Sequence, residues 1–137
     1  GEGFTAENSP PVWGYQIAVA QYAGFWPGCS PPRGVQMLRW DPGTRSLKLD
    51  WAQPEVHFNN VMTISAGSSM LYGIGRGADC VQTYRGLDLA TGREMFSLPL
   101  DKSKRFVDSG NTHALNDDRS IVFGVSQGIA RLRPTRP

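Results

Sequence analysis

A threefold repeat constrains the fold of this chain more than any other feature of its sequence. Asn8, Asn60 and Asn111 are separated by 52 and 51 residues. Each is followed by a short apolar run, a small polar turn and a second apolar run. Repeat periods of about 20 to 50 residues are typical of solenoids, propellers and arrays. The approximate repeats 8–59, 60–110 and 111–137 are therefore interpreted as parts of a single domain that spans residues 1–137.

Each repeat is predicted to consist of short antiparallel strands. The segments between the apolar runs are rich in Gly, Ser, Asp and Thr, which favour turn conformations. In the middle repeat the predicted strands are 61–65, 70–74, 81–87 and 94–100. The first repeat gives strands at 16–21, 34–40 and 46–51, and the last at 111–115, 120–125 and 129–133. Sixteen glycines and ten prolines favour turns over helices.

The strand count predicts an all-β fold of about two and three-quarter four-stranded antiparallel blades of a β-propeller. Propellers close at about four to eight blades, and an open stack exposes strand edges. We therefore expect another chain, another copy of this one or further upstream sequence to complete the propeller. The edge of the last blade, after residue 133, is expected to be covered by segment 1–6 or by a second chain. The alternative is a self-contained sandwich or barrel of roughly ten to twelve strands.

Two tight turns are expected to be held by aspartate side chains. Asp88 precedes Thr91 and Gly92, and Asp41 precedes Gly43 and Thr44. A carboxylate at the first position of such a turn can accept hydrogen bonds from the backbone that follows it. We expect both carboxylates to do so.

Composition excludes several classes of function. A net charge of +2, with basic residues scattered along the chain, does not favour nucleic-acid binding. No apolar run approaches the roughly 18 residues that a membrane-spanning helix needs. The spacing of histidines and cysteines gives no zinc motif, and we predict no metal site. No nucleophile elbow or dinucleotide-binding motif is present.

The two cysteines occupy equivalent positions of neighbouring repeats. Cys29 and Cys80 are 51 residues apart, close to the repeat period. This spacing favours a disulfide and therefore an extracytoplasmic location, periplasmic or secreted. The alternative is two unpaired thiols whose alignment is a coincidence.

The segment 86–96, GLDLATGREMF, resembles the repeat of quinoprotein-like (PQQ-like) β-propellers. That repeat runs approximately A-x-D-x-x-T-G-x-x-x-W. Asp88, Thr91 and Gly92 match it, whereas Gly86 replaces the alanine and Phe96 the tryptophan. The resemblance implies a propeller fold. Family members that hold the quinone add a calcium site and adjacent cysteines, which this sequence lacks, so we expect no cofactor.

Polar residues on the first strand of each blade would line the central channel of a propeller, where ligands bind. As general acid and base groups we consider His57, His113 and Asp108. As ligand-binding residues we consider Asn60, Asn111, Glu7 and Trp26. Alternatively, the asparagines hydrogen-bond the turn backbone at the entrance of each blade, and the histidines are hydrogen-bonded structural residues. Trp26 would then pack beneath its own loop.

These observations favour a binding or assembly module whose partner is a second protein chain or another copy. The alternative is one chain of a propeller enzyme whose active site lies at the channel and uses histidine and carboxylate side chains. The absence of a catalytic motif and the incomplete blade count favour the first function.

Overall fold

Eleven β-strands form the described part of the chain. The structure, a computed structural model, describes residues 10–20, 33–58, 61–77, 79–102 and 113–135. These residues contain no helix, and hence none that could cross a membrane. The strands are β1 (Val12–Trp13), β2 (Gln16–Ala20), β3 (Val35–Asp41), β4 (Ser46–Gln53), β5 (Thr63–Ser65), β6 (Met70–Arg76), β7 (Gln82–Asp88), β8 (Glu94–Asp101), β9 (His113–Leu115), β10 (Ile121–Val125) and β11 (Gly128–Leu132).

The strands form three antiparallel sheets, in which strands consecutive in the chain are hydrogen-bonded neighbours. Sheet 1 contains β1 to β4, sheet 2 contains β5 to β8, and sheet 3 contains β9 to β11. The predicted all-β class is therefore confirmed. Each predicted strand has a counterpart, with ends that differ by no more than two residues within the described part of the chain.

Aspartate side chains hold the two tight turns, as predicted. The backbone N–H of Thr91 donates to Oδ1 of Asp88 over 2.8 Å, and the Thr91 hydroxyl donates to the same oxygen over 2.6 Å. Oδ1 of Asp41 accepts from the backbone N–H groups of Gly43, at 2.9 Å, and Thr44, at 3.2 Å. Both turns therefore satisfy backbone donors locally, which fixes where β3 and β7 end.

Strands β6 and β7 of sheet 2 pack against a neighbouring sheet on each face, because successive side chains of a strand point to opposite sides, whereas the side chains of its edge strand β8 are mostly exposed. Along β6, Leu71 belongs to an apolar cluster shared with sheet 1, whereas Ile74 belongs to a cluster shared with sheet 3. The first cluster includes Met37 of β3, and the second includes Phe123 of β10. The core thus consists of two layers, one on each side of sheet 2.

Trp51 of β4 joins sheet 1 to the Asp88 turn of sheet 2. Its indole Nε1–H donates to the backbone oxygen of Leu89 over 3.0 Å. Its ring also lies so close to Gly92 that a Cβ there would be 2.4 Å from the ring carbon Cε3. Gly92 has a φ of 72°, which only glycine adopts readily. Both the space and the backbone angle therefore require glycine here.

The face of sheet 1 that points away from sheet 2 is apolar and largely uncovered within the described residues. Val12, Ile17, Leu38 and Leu49 form a row across the four strands, and Trp40 pairs with Leu47 beside it. Val12 is 61% exposed, Leu49 57% and Trp40 38%. We call this surface the outer face of sheet 1. A monomer rarely leaves a continuous apolar surface of this kind open to water.

Candidate functional site

His57 lies in the segment between β4 and β5 and packs directly against β6. Gly75 of β6 makes this possible, because a Cβ at that position would be 1.7 Å from the backbone oxygen of His57. The neighbouring Gly73 similarly leaves space for the ring of Phe58. The His57 side chain is only 4% exposed. Two glycines of one strand thus let this segment lie against the sheet, in the layer between sheets 1 and 2.

The protonation state of His57 follows from its hydrogen bond. The backbone N–H of Arg76 donates to Nδ1 of His57 over 3.1 Å, so Nδ1 carries no proton and Nε2 carries it. Burial, followed by the positive charges of Arg76, Arg85 and Arg33, lowers the pKa of His57 to about 4. The imidazole is therefore neutral at neutral pH.

Three arginines lie near enough to His57 for their charges to lower its pKa, and we call His57, Arg33, Arg76 and Arg85 the His57 cluster. Nε of Arg85 lies 3.0 Å from a carboxylate oxygen of Glu94. Nη1 of Arg33 lies 3.6 Å from a carboxylate oxygen of Glu55. Within the residues the structure describes, Nε2 of His57 and Nη1 of Arg85 are buried and lack a hydrogen-bond partner. Nε2 of His57 and Nη1 of Arg85 are therefore two buried donors to which no described residue supplies an acceptor.

His113 begins β9 and lies in the second core layer. Its Nδ1 is 2.9 Å from the hydroxyl oxygen of Tyr84, and its ring centroid is 5.4 Å from that of Phe123. Its backbone N–H donates to the Thr63 hydroxyl over 3.3 Å, which links β9 to β5. Tyr84 and Phe123 are themselves almost completely buried. The His113–Tyr84 pair is thus a hydrogen bond within an aromatic core.

The two histidines lie on opposite faces of sheet 2. His57 packs on the Gly75 side of β6, which faces sheet 1, whereas His113 packs on Tyr84, which faces sheet 3. Sheet 2 separates the imidazoles, so they do not share one surface. The structure gives each of them a hydrogen bond and a buried position. Their use in catalysis stays a prediction.

The other residues singled out in the sequence lie outside the described residues. They are Glu7, Asn8, Trp26, Cys29, Asn60, Asp108 and Asn111. Cys80 is described and is disulfide-bonded. Its pairing with Cys29 stays a prediction. Among the described residues, no group of three or more His, Cys, Asp or Glu side chains could hold a metal ion.

Sequence reasoning missed the arginines of the His57 cluster because it treated the basic residues as scattered. One signal was present: Arg85 lies between Tyr84 and Gly86, inside a strand whose other residues are mostly apolar or small. A charged side chain in such a strand is rarely buried unless it has a partner. Arg85 has that partner in Glu94, its diagonal neighbour on β8.

Comparisons with known proteins identify no family for this chain. No protein-family model matches it, and no curated protein is significantly similar to it. Its function must therefore be argued from its own residues and their geometry.

Proposed function

We propose that this chain is a segment of a β-propeller that acts as a binding and assembly module and is completed by another chain or another copy. The resemblance of segment 86–96 to quinoprotein-like repeats supports a propeller. So does the arrangement of three antiparallel meanders in chain order, in which the middle one shares an apolar cluster with each of the others. The fold alone does not imply an activity, so the proposal rests on one surface.

That surface is the outer face of sheet 1. A comparison with the equivalent face of sheet 2 indicates that another sheet should cover it. Asp41 and Asp88 hold equivalent turns, so Trp40 and Leu87, which immediately precede them, occupy equivalent positions. Leu87 has no exposed surface because sheet 1 covers it, whereas Trp40 is 38% exposed. The corresponding face of sheet 2 is thus an internal interface. The outer face of sheet 1 is proposed to be an interface of the same kind with a preceding sheet.

Sheet 3 supplies a second reason for a partner. It has three strands in the described part of the chain, and β11 is its outermost strand. Ile129 of β11 is 79% exposed. An unpaired edge that carries an apolar side chain is a template for another strand. We propose that a partner covers this edge as well.

The disulfide at Cys80 supports an extracytoplasmic location, periplasmic or secreted, because stable disulfides form in oxidising compartments. The proposed module therefore acts outside the cytoplasm. Its partner is a protein, since the charge pattern of the chain does not favour nucleic acid.

The test is the mass of the native assembly. The tagged chain is purified from the cells that produce it and examined by native mass spectrometry, together with the double variant Leu47→Glu, Leu49→Glu. We expect the wild-type chain in a defined complex heavier than 15.0 kDa. The two charges on the outer face should release the monomer. Met95→Glu, which changes an exposed apolar residue on β8 of sheet 2, is the control and should leave the complex intact.

A wild-type chain that is strictly monomeric at 15.0 kDa would refute the proposal. Dissociation by Met95→Glu to the same extent would also count against it, because the effect would then not be specific to the outer face. The circular dichroism spectrum of each variant shows whether it keeps its β-structure.

A further inference from the structure

We propose that a second polypeptide chain binds this protein by adding a β-strand to the edge of β11, and that apolar side chains of the added strand cover Phe96 and Leu98 of β8. The inference rests on the proposed function, which supplies the partner chain, and it adds where and how that chain binds. Two observations lead to it independently: the edge of β11 and the exposed side chains of β8.

The first observation is that β11 is the least protected sheet edge in the described part of the chain. The outermost strands of sheets 1 and 2 are irregular, with one register shift between β3 and β4 and two between β7 and β8. β8 also contains Pro99, which has no backbone N–H to donate. The opposite edges, β1, β5 and β9, are only two or three residues long. β11 has no proline and pairs with β10 over five residues without a shift, so it lacks the features that prevent further pairing.

The second observation is an exposed apolar surface on β8, on the face of sheet 2 that sheet 3 covers elsewhere. Leu98 pairs with Tyr84, and the ring centroid of Phe96 is 6.4 Å from that of Tyr84 and 6.1 Å from that of Tyr72. Tyr84 is fully buried in the cluster shared with sheet 3, whereas Leu98 is 42% exposed and Phe96 38%. Phe96 and Leu98 therefore continue the apolar layer between sheets 2 and 3 beyond the part that sheet 3 covers.

Sheet 1 shows what covers the equivalent position. The residue four positions before the Asp41 turn pairs with Trp51, and the residue four positions before the Asp88 turn pairs with Leu98. Trp51 is nevertheless only 8% exposed, because the turn between β7 and β8 of the next sheet lies against its ring. In the part of the chain that the structure describes, sheet 3 has no turn and fourth strand after β11 to cover Leu98 in this way. A strand added to β11 supplies the missing cover.

The geometry also defines the chemistry of the partner. The backbone groups along the edge of β11 pair with another backbone only when that backbone is extended. Ala130 and Leu132 of β11 pack against the cluster shared with sheet 3 and so face sheet 2. The residues of the added strand that lie beside them face sheet 2 as well, and they should be apolar because they cover Phe96 and Leu98. The partner segment is thus an extended strand with apolar residues at alternate positions.

Photo-crosslinking in the native complex tests this mode of binding. Leu98, or Ser97 as the matched control, is replaced by the photoreactive residue benzoylphenylalanine, and the tagged chain is purified from the cells that produce it. Ser97 is exposed and lies between Phe96 and Leu98, on the opposite face of β8. We expect position 98 to crosslink to a second chain, at a segment with alternating apolar residues that mass spectrometry identifies. Position 97 should not crosslink to that segment.

Two further measurements use the same complex. Leu98→Gln should weaken binding of the partner about tenfold, because a buried apolar contact is lost, and Ser97→Gln should leave it unchanged. Hydrogen exchange needs no variant: the edge amides of β11 should exchange about tenfold or more slowly in the complex than after dilution has released the partner.

Three results would overturn the proposal: crosslinks from position 98 only within the same chain, equal effects of the two glutamine variants, or β11 amides that exchange equally fast with and without the partner. Any of them, obtained on an intact complex, would leave the assembly proposed above standing. Absence of any complex would refute both.

Discussion

The carboxylate of Asp88 illustrates how one residue fixes a turn. We expect Asp88→Ala to lower the melting temperature by a few degrees, because two donors of Thr91 lose their acceptor. Asp88→Asn keeps an oxygen at the same position and should retain most of the stability. Thermal unfolding followed by circular dichroism measures both, and equal melting temperatures for the alanine variant and wild type would contradict the prediction.

The effect of Asp88 should also depend on pH. The hydrogen bonds from Thr91 hold the pKa of Asp88 below its ordinary value of 3.8, so the folded chain favours the ionised form. A lowered pKa stabilises the fold above the unfolded-state value, and that contribution is lost as pH falls below it. The difference between wild type and Asp88→Ala should therefore shrink below about pH 4.

The lowered pKa of His57 predicts a second dependence of stability on pH, at higher pH than that of Asp88. Its pKa falls from 6.5 to about 4 on folding, mainly because of burial. Between these values the unfolded chain binds more protons than the folded one, so stability should fall as pH drops from 6.5 towards 4. His57→Gln, which cannot titrate, should flatten the dependence between about pH 5.5 and 6.5, above the range in which most carboxylates titrate. Urea midpoints measured across this range test it, and identical slopes for variant and wild type would argue against a neutral buried His57.

At the scale of the strand, Gly75 of β6 leaves no room for a side chain beside the backbone of His57. We expect Gly75→Ala to destabilise the chain by about 3 kcal/mol or more, because the added Cβ would overlap the backbone oxygen of His57. Gly67→Ala is the matched control, since a Cβ at Gly67 meets nothing within 4 Å. Chemical denaturation of the two variants gives the comparison. Similar stabilities would mean that the His57 segment can move away from the sheet.

The same strand shows what could be predicted from the sequence. The ends of most strands were predictable because turn residues such as Asp88 and Gly92 satisfy backbone groups locally. β6 ends at Arg76, two residues beyond its predicted end. The prediction stopped at residue 74 because the sequence around Gly75 is typical of a loop. Glycine is required at position 75 because the backbone of His57, which is distant in sequence, packs against it. A local sequence pattern does not indicate such a contact.

The site was less predictable than the strands for a similar reason. Hydrogen-bonded structural histidines were one alternative for His57 and His113, and each is buried with a hydrogen bond. The sequence did not indicate that sheet 2 lies between them. Along β6, Leu71 and Tyr72 are both apolar, so the pattern does not say which side chain faces which sheet. His57 lies outside a strand, and the face of sheet 2 on which it packs depends on how the sheets pack together. The sequence alone does not show that packing.

At the scale of the whole molecule, the disulfide is the strongest constraint still to be mapped. We expect a single crosslinked peptide pair, Cys29–Cys80, in a non-reducing digest. Cys80→Ser should lower the free energy of unfolding by about 2 to 5 kcal/mol, as for native disulfides of small secreted domains. Reduction of the wild-type chain should reproduce this loss and leave Cys80→Ser unaffected. A digest in which Cys29 carries a free thiol would contradict the pairing.

The order of the strands has a consequence for the speed of folding. Every strand pairs with the strand that precedes or follows it in the chain. Such meanders require only short loops to close, so their contact order within each sheet is low compared with sandwiches whose strands cross between sheets. Each sheet can therefore form from its own residues. Because sheet 2 packs against a neighbouring sheet on each face, the backbone amides of β6 and β7 should exchange more slowly in the native chain than those of sheets 1 and 3.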